Sequence, residues 1–279
     1  MQINSAKLLK RILLYFAILL TCVFVLYPYF VMLTTSLKTR SEIFSMSGDV
    51  FPEKAVWTNF VDIWTKAPVA SYLRNSCIVA GGSTLIAMVC GIPAAYALAR
   101  MKFRGQTAFL GFVIVSQMFA PVVLLIGIYK VMQLLHLTNS LLGLVFLNAA
   151  FNQAFTIWLL RGTFMSISSE MEQAAHIDGC STLGAMLRIL LPMAAPGIVT
   201  TLIFVFINSW NEFTISNVLI TTTAKKPITV GITQFSSYNM IEWQYLFASS
   251  LLATIPVVIL FMCIEKHLAA GLTAGGVKG

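Results

Sequence analysis

The sequence predicts an all-α membrane protein with six spanning helices, and three observations lead there. Its 279 residues are 58% hydrophobic and 10% charged, where soluble globular domains carry about 25% charged residues, and the mean hydropathy is +0.85. The few charges stand as fences between apolar runs: Ile12–Leu37, Asn75–Ala99, Gly105–Tyr129, Val131–Leu160, Ile189–Asn211 and Trp243–Ile264 contain no Asp, Glu, Lys or Arg. Each run reaches the roughly 20 residues that a helix needs to cross the hydrocarbon core. The alternating segments of about 10 residues that build a membrane barrel are not visible.

Taken in order, residues 1–11 are a basic amphipathic start, and the first span follows to about Ser36. Its run is longer than a secretory h-region and lacks a small-residue cleavage site, so it reads as an uncleaved anchor, kinked at Pro28. Lys38 to Arg74 alternates charges with Pro52, Trp57, Trp64 and Pro68, the pattern of an ordered extracytoplasmic loop with interfacial aromatics. The second span ends in the small-residue stretch Ala94–Arg100, which permits close helix contact in lipid. The third covers about 106–129 with Pro121 in its outer half, His136 to Ser140 makes a turn, and the fourth ends near Arg161. Pro192 and Pro196 open the fifth, Trp210-Asn211-Glu212-Phe213 lies towards its outer end, and Lys225-Lys226-Pro227 starts a second outer loop. The sixth span, about 243–264, leads into a glycine-rich tail. The expected division is an anchor and loop over 1–72, a permeation domain over 73–268 and a tail over 269–279.

The net charge of +8 is scattered, with no aromatic–basic module of a nucleic-acid binder. It reads instead as topology. Lys7, Lys10 and Arg11 precede the first span, and Arg100, Lys102 and Arg104 follow the second. Both clusters fall on one side of a six-span chain, which makes that side cytoplasmic and puts both termini there. Arg161–Arg188 falls on the same side.

That last segment holds a polar island, Ser168 to Pro192, too short in its helical parts to cross a bilayer. Ser169 with Glu172 three residues on has the form of a capping box, so a helix is expected from near Glu170 through Ile177. Gly179 suits the left-handed residue that ends it, and Ser181 or Thr182 caps a second helix. That helix carries Leu183, Met186, Leu187 and Leu190 on one face and meets Pro192, which cannot continue a helix from within. Two short helices joined at a glycine are shaped to lie at the membrane surface and press an apolar and small-residue face into another protein.

Glu212 is an acidic residue at the edge of a predicted span, and Asn211 precedes it. An ionisable group at membrane depth is costly unless paired or facing water, so Glu212 and Asn211 are candidate pathway residues. The alternative is an interfacial glutamate bonded to backbone or to a partner's base. Asn148 and Asn152, four apart on one helix face, are the other pathway candidates, with helix-to-helix hydrogen bonding as their alternative. Tyr27, Tyr29, Tyr96 and Trp158 fit sugar stacking or plain packing. The cysteines and the three histidines lack ligand spacing, so no metal site is expected. No phosphate loop, His-Glu-x-x-His or Gly-x-Ser-x-Gly motif occurs, so the chain is expected to be neither an ATPase nor a hydrolase.

Several spacings hold together in Gln173-Ala174-Ala175, Gly179, Ile189 and Leu191-Pro192, and this string resembles the EAA loop of bacterial ABC importer permeases. Gln173 stands where that family usually has glutamate, keeping length and hydrogen bonding but not charge. With Ala94–Arg100, Phe103–Gly105, Trp210–Phe213 and the terminal Gly-Leu-Thr-Ala-Gly-Gly-Val-Lys-Gly, the chain from about Lys38 is similar to the shorter permease of maltose-type carbohydrate ABC importers. The resemblance implies a type I ABC importer permease core with cytoplasmic coupling helices, in the bacterial inner membrane. It implies that Glu170, Glu172, Gln173, Ala174, Ala175, Asp178, Gly179, Ile189 and Pro192 couple to an ATPase, and that Gly275, Gly276, Lys278 and Gly279 reach it through the tail. The implied partners are a second homologous permease, a cytoplasmic ATPase dimer that holds ATP and Mg, and an extracytoplasmic sugar-binding protein; this chain itself binds no cofactor. A carrier driven by protons or sodium through Glu212 is the reading from a different class.

Overall fold

The computed structural model describes residues 5–45, 48–237 and 240–276. In chain order the helices are α1 (Ser5–Ser36), α2 (Arg40–Ile43), α3 (Asn59–Lys66), α4 (Val69–Arg100), α5 (Gln106–Ser116) and α6 (Pro121–Leu134). Then come α7 (Leu141–Ser166), α8 (Ser169–Ile177), α9 (Thr182–Met193), α10 (Ala195–Trp210), α11 (Thr214–Leu219) and, after the single helical turn Ile228–Gly231, α12 (Trp243–Gly276). The chain divides into two compact units, one taking in the residues up to Ala67 with Ile232–Thr254, the other Pro68–Gly231 and the residues from Ile255 on.

In the first unit α1 exposes apolar side chains all round from Leu9 to Tyr29, as a helix surrounded by lipid does. Asn59 anchors the loop that follows. Its buried amide donates to the carbonyls of Ser36 (2.8 Å) and Lys38 (3.0 Å), which closes the end of α1. Thr39 and Glu42 form a complete capping box on α2. The Glu42 carboxylate accepts from the Thr39 N–H at 2.6 Å and from the Glu53 N–H at 2.8 Å. Those bonds, the Thr39 backbone N–H first, hold the Glu42 carboxyl below the usual carboxylate range.

The second unit is built on α4 and α7, which run along each other, with α10 against both. Small residues set the approach: a methyl at Gly82 would touch Val145 at 3.1 Å, and one at Gly91 would reach 2.5 Å from Thr156 Cγ2. Packing of this closeness is what holds helices together in lipid. Val79, Leu144, Val145, Leu147, Ile215 and Leu219 form one buried cluster. Met88, Tyr96, Leu160, Phe164, Met186 and Leu190 form another towards the Arg100 end of α4.

The six apolar runs do not all become straight helices. Four helices among the described residues are long and apolar enough to cross a membrane, and two bent pairs bring the number to six if each pair is one span. The run expected as the third span breaks between Ser116 and Pro121, where α5 and α6 meet at 101°. Pro121 takes the first helical position after an extended Ala120, so it starts a new helix instead of kinking the old one. The fourth span begins at Leu141, after the turn expected over His136 to Ser140: Val131–Leu134 finish α6 and the chain then turns through His136 (φ +54°) and Asn139 (φ +52°). Asn139 fixes that turn by accepting from the N–H groups of Thr221 (3.2 Å) and Thr222 (3.1 Å). The fifth run is the second bent pair, α9 and α10 at 78°. At the C-terminal side, α12 runs on as helix through Gly276 where a tail was expected from residue 269.

Candidate functional site

The polar island folds as the two-helix corner that its spacing predicts. Gly179 has φ +86°, and the bonds around it are those of a Schellman ending: Cys180 N–H to Ala175 C=O at 2.9 Å and Gly179 N–H to His176 C=O at 3.1 Å. Ser181 caps α9 by accepting from the Gly184 N–H at 3.2 Å.

Three details differ from expectation. The N-cap of α8 is Ser168, whose hydroxyl accepts from the Glu170 N–H at 3.2 Å, so Ser169 and Glu172 form no capping box. Glu172 turns inward instead, where one carboxylate oxygen accepts the Tyr96 hydroxyl and the other lies 3.2 Å from Arg100 Nε. A charged pair with a second donor, largely out of water, is stronger than a solvent-exposed cap bond. Second, Pro192 lies inside the helical stretch of α9. A five-residue π-turn over Met186–Leu190 precedes it. The wider turn admits the proline ring and its missing N–H, and the bend is deferred to Ala194. Third, that turn splits the expected apolar face: Met186 and Leu190 are buried in the core while Leu183 and Leu187 are exposed.

Of the residues expected to couple to an ATPase, Glu170, Gln173, Ala174, Asp178, Gly179 and Pro192 are exposed, Glu172 and Ile189 are half-buried and Ala175 is buried within the chain. Sequence reasoning passed over Ile177, which is 85% exposed at the end of α8. Its signal was present, since it is a large aliphatic residue next to the polar Asp178-Gly179 ending. Gly275 and Gly276 lie at the end of α12, whereas Lys278 and Gly279 lie outside the described residues.

The pathway candidates meet at the α5–α6 break. A cavity of about 670 Å³ is bordered there by Gln117 and Phe119, by Asn148 and Asn152 of α7, and by Asn208 and Glu212 at the end of α10. Asn211 is exposed and does not border it. Asn208, in the last turn of α10, was the missed member of this group. Most of the amides are engaged: Asn148 Nδ2 donates to Leu144 C=O (2.9 Å), Asn152 Nδ2 to Asn148 C=O (2.9 Å) and Ser209 Oγ (3.2 Å), and Gln117 Nε2 to Phe151 C=O (3.2 Å). They hold α7 to α10 and cover a carbonyl of α7 beside broken backbone, which is tolerated at membrane depth where it lines a cavity. Glu212 caps α11. Its carboxylate accepts from Ile215 N–H (2.6 Å), Ser216 N–H (2.9 Å) and Ser216 Oγ (2.6 Å). Among the described residues no group of three His, Cys, Asp or Glu side chains converges to hold a metal.

Against known proteins, the family model described as the binding-protein-dependent transport system inner membrane component matches residues 87–274. The probable ABC transporter permease protein YurM of Bacillus subtilis is 35% identical over 91% of this chain and 84% of its own length. The trehalose/maltose transport system permease protein MalG of Thermococcus litoralis is 31% identical over 98% of this chain and 99% of its own. Among solved structures, a chain of a bacterial ABC transporter involved in the import of the acidic polysaccharide alginate superposes with a TM-score of 0.78 at 19% identity, covering 95% of this chain and 98% of that one. That likeness is one of fold.

Proposed function

Because this chain belongs to the family of binding-protein-dependent transport system inner membrane components, we propose that it is one permease of an ATP-driven importer that carries a sugar or oligosaccharide across the bacterial inner membrane. It pairs with a second, homologous permease, receives sugar from an extracytoplasmic binding protein and docks on a cytoplasmic ATPase dimer, which holds ATP and Mg and does the hydrolysis. The chain crosses the membrane several times with both termini cytoplasmic. The permease domain covers about residues 73–268, and the C-terminal end, Gly275 to Gly279, reaches towards the ATPase.

The observation that carries this reading is the corner α8–Gly179–α9. It is too short to span and presents Ile177, Leu183, Ala174 and the charges of Glu170 and Asp178 outward. Large apolar side chains exposed on a short helix beyond the spans mark a protein contact. The sugar assignment is supported by the trehalose/maltose relative. The mechanism is alternating access: ATP closes the ATPase dimer, the corner moves with it, and the spans around the cavity at Asn148, Asn152 and Glu212 reorient. ATP drives the change only through tighter binding to the closed state. Glu212, with both carboxylate oxygens taken up by α11, is better suited to capping than to releasing a proton or sodium ion on each cycle.

Uptake of radiolabelled trehalose and maltose by cells carrying the whole system tests this. Uptake that stops on ATP depletion and survives a protonophore and a sodium ionophore is expected. Uptake that collapses with either ion gradient while ATP is intact would move the ion-coupled carrier to the front.

A further inference from the structure

We propose that Tyr96, Arg100 and Glu172 form a latch that makes the coupling helix α8 and the spanning helix α4 one moving body. The inference rests on the importer reading and assigns to these three residues a positioning role in transmitting the ATPase stroke. Tyr96 and Arg100 are four apart and share a face of α4, and Glu172 and Ala175 are three apart and share a face of α8. The two faces meet. The Glu172 carboxylate takes the Tyr96 hydroxyl on one oxygen and lies 3.2 Å from Arg100 Nε with the other, in side chains 12% and 13% exposed. Arg100 also donates from Nη2 to the carbonyl of Ile167 at 2.7 Å, the residue that ends α7 just before the cap of α8. The Tyr96 ring is fixed edge-on to the fully buried Phe164, with centroids 6.5 Å apart and planes at 79°.

The covalent route from α7 to α8 is weaker. It hangs from α7 by Ile167 and Ser168, both with ψ of 135° and outside helical geometry. An extended joint of two residues bends without breaking helical hydrogen bonds and transmits little torque. The latch replaces that joint with a charged, nearly dry contact to α4, the helix that packs most extensively on α7. A consequence is that Glu172 faces inward and leaves the docking charges to Glu170 and Asp178.

The test uses the complex purified from membranes with its ATPase, the native cysteines replaced by serine and spin labels at Met171→Cys on α8 and Val89→Cys on α4. The distance between labels is read by pulsed electron paramagnetic resonance, without nucleotide and with Mg-ATP plus vanadate. With the latch residues intact, one narrow distance distribution is expected that nucleotide leaves in place. Tyr96→Phe, which keeps the ring and removes the hydroxyl, and Arg100→Met are expected to broaden it and let nucleotide shift it while the ATPase still co-purifies. Arg100→Lys, which keeps the charge, is expected to restore part of the narrowness. A distance that shifts with nucleotide in the intact latch, or variants that match it in both states, would overturn the proposal. Absence of the ATPase from the preparation with the latch intact is seen before nucleotide is added, and overturns the importer reading together with this one.

Discussion

Replacing Gly179 isolates the shape of the coupling corner from its surface chemistry. At φ +86° the backbone is in the left-handed region, which costs a residue with a β-carbon about 1–2 kcal/mol. A β-carbon built there meets nothing within 4 Å, so the cost is backbone strain alone. Asparagine tolerates this region best among the larger residues and β-branched residues worst. The series Gly179→Asn, Gly179→Ala, Gly179→Val should therefore weaken the corner progressively, and about 1–2 kcal/mol corresponds to a five- to thirty-fold loss of the docking-competent form. The assay is the affinity of the purified ATPase subunit for the permease pair in lipid nanodiscs, read by titration. Membrane insertion should be the same for all three, since Gly179 packs on no span. Equal affinities for the asparagine, alanine and valine variants would refute the reasoning, because strain would then not matter to docking. So would a loss in the asparagine variant as large as in the valine one.

Two further outcomes follow from the same geometry. Glu212→Gln exchanges one acceptor oxygen for a donor at a carboxylate that receives three bonds from α11, which should cost about 1–3 kcal/mol. It should lower the thermal unfolding midpoint without making uptake depend on an ion gradient; a variant of unchanged stability that loses uptake altogether would give Glu212 a transport role instead. The Glu42 carboxyl is held below its ordinary value by the Thr39 N–H first, then the Thr39 hydroxyl and the Glu53 N–H. Its contribution is therefore full above the ordinary carboxylate value and is lost as pH falls through the lower, folded one. Amide exchange at Thr39, Glu42 and Glu53, corrected for intrinsic rates, should speed up on acidification, and Glu42→Gln should remove that pH dependence.

Much of the architecture was legible in the sequence because lipid imposes simple rules. Charge-free runs of sufficient length located the spanning regions, and the left-handed Gly179 and the Ser181 cap were readable because turn chemistry is local. What was not legible depends on contacts distant in sequence. Hydropathy cannot tell a straight span from one that turns by 101° at Ser116–Pro121, since both halves are equally apolar and only the packing of Pro121 decides between a kink and a fresh helix. The Ser169–Glu172 spacing fits a capping box as a string, yet Glu172 is drawn to Tyr96, 76 positions away, and to an arginine that the sequence offered only as a topology marker. Asn208 was passed over although it stands four positions before the Glu212 that drew notice.

Co-purification from the native membrane tests the central claim most directly. Tagged chain is compared with a variant carrying arginine at Ala174, Ile177 and Leu183, all exposed on the corner, and leaving the buried Ala175 and the left-handed Gly179 in place so that the fold is kept. The account predicts that an ATPase and a second permease come down with the unaltered chain and that the ATPase alone is lost from the variant. An ATPase recovered equally with both, or with neither, would contradict it.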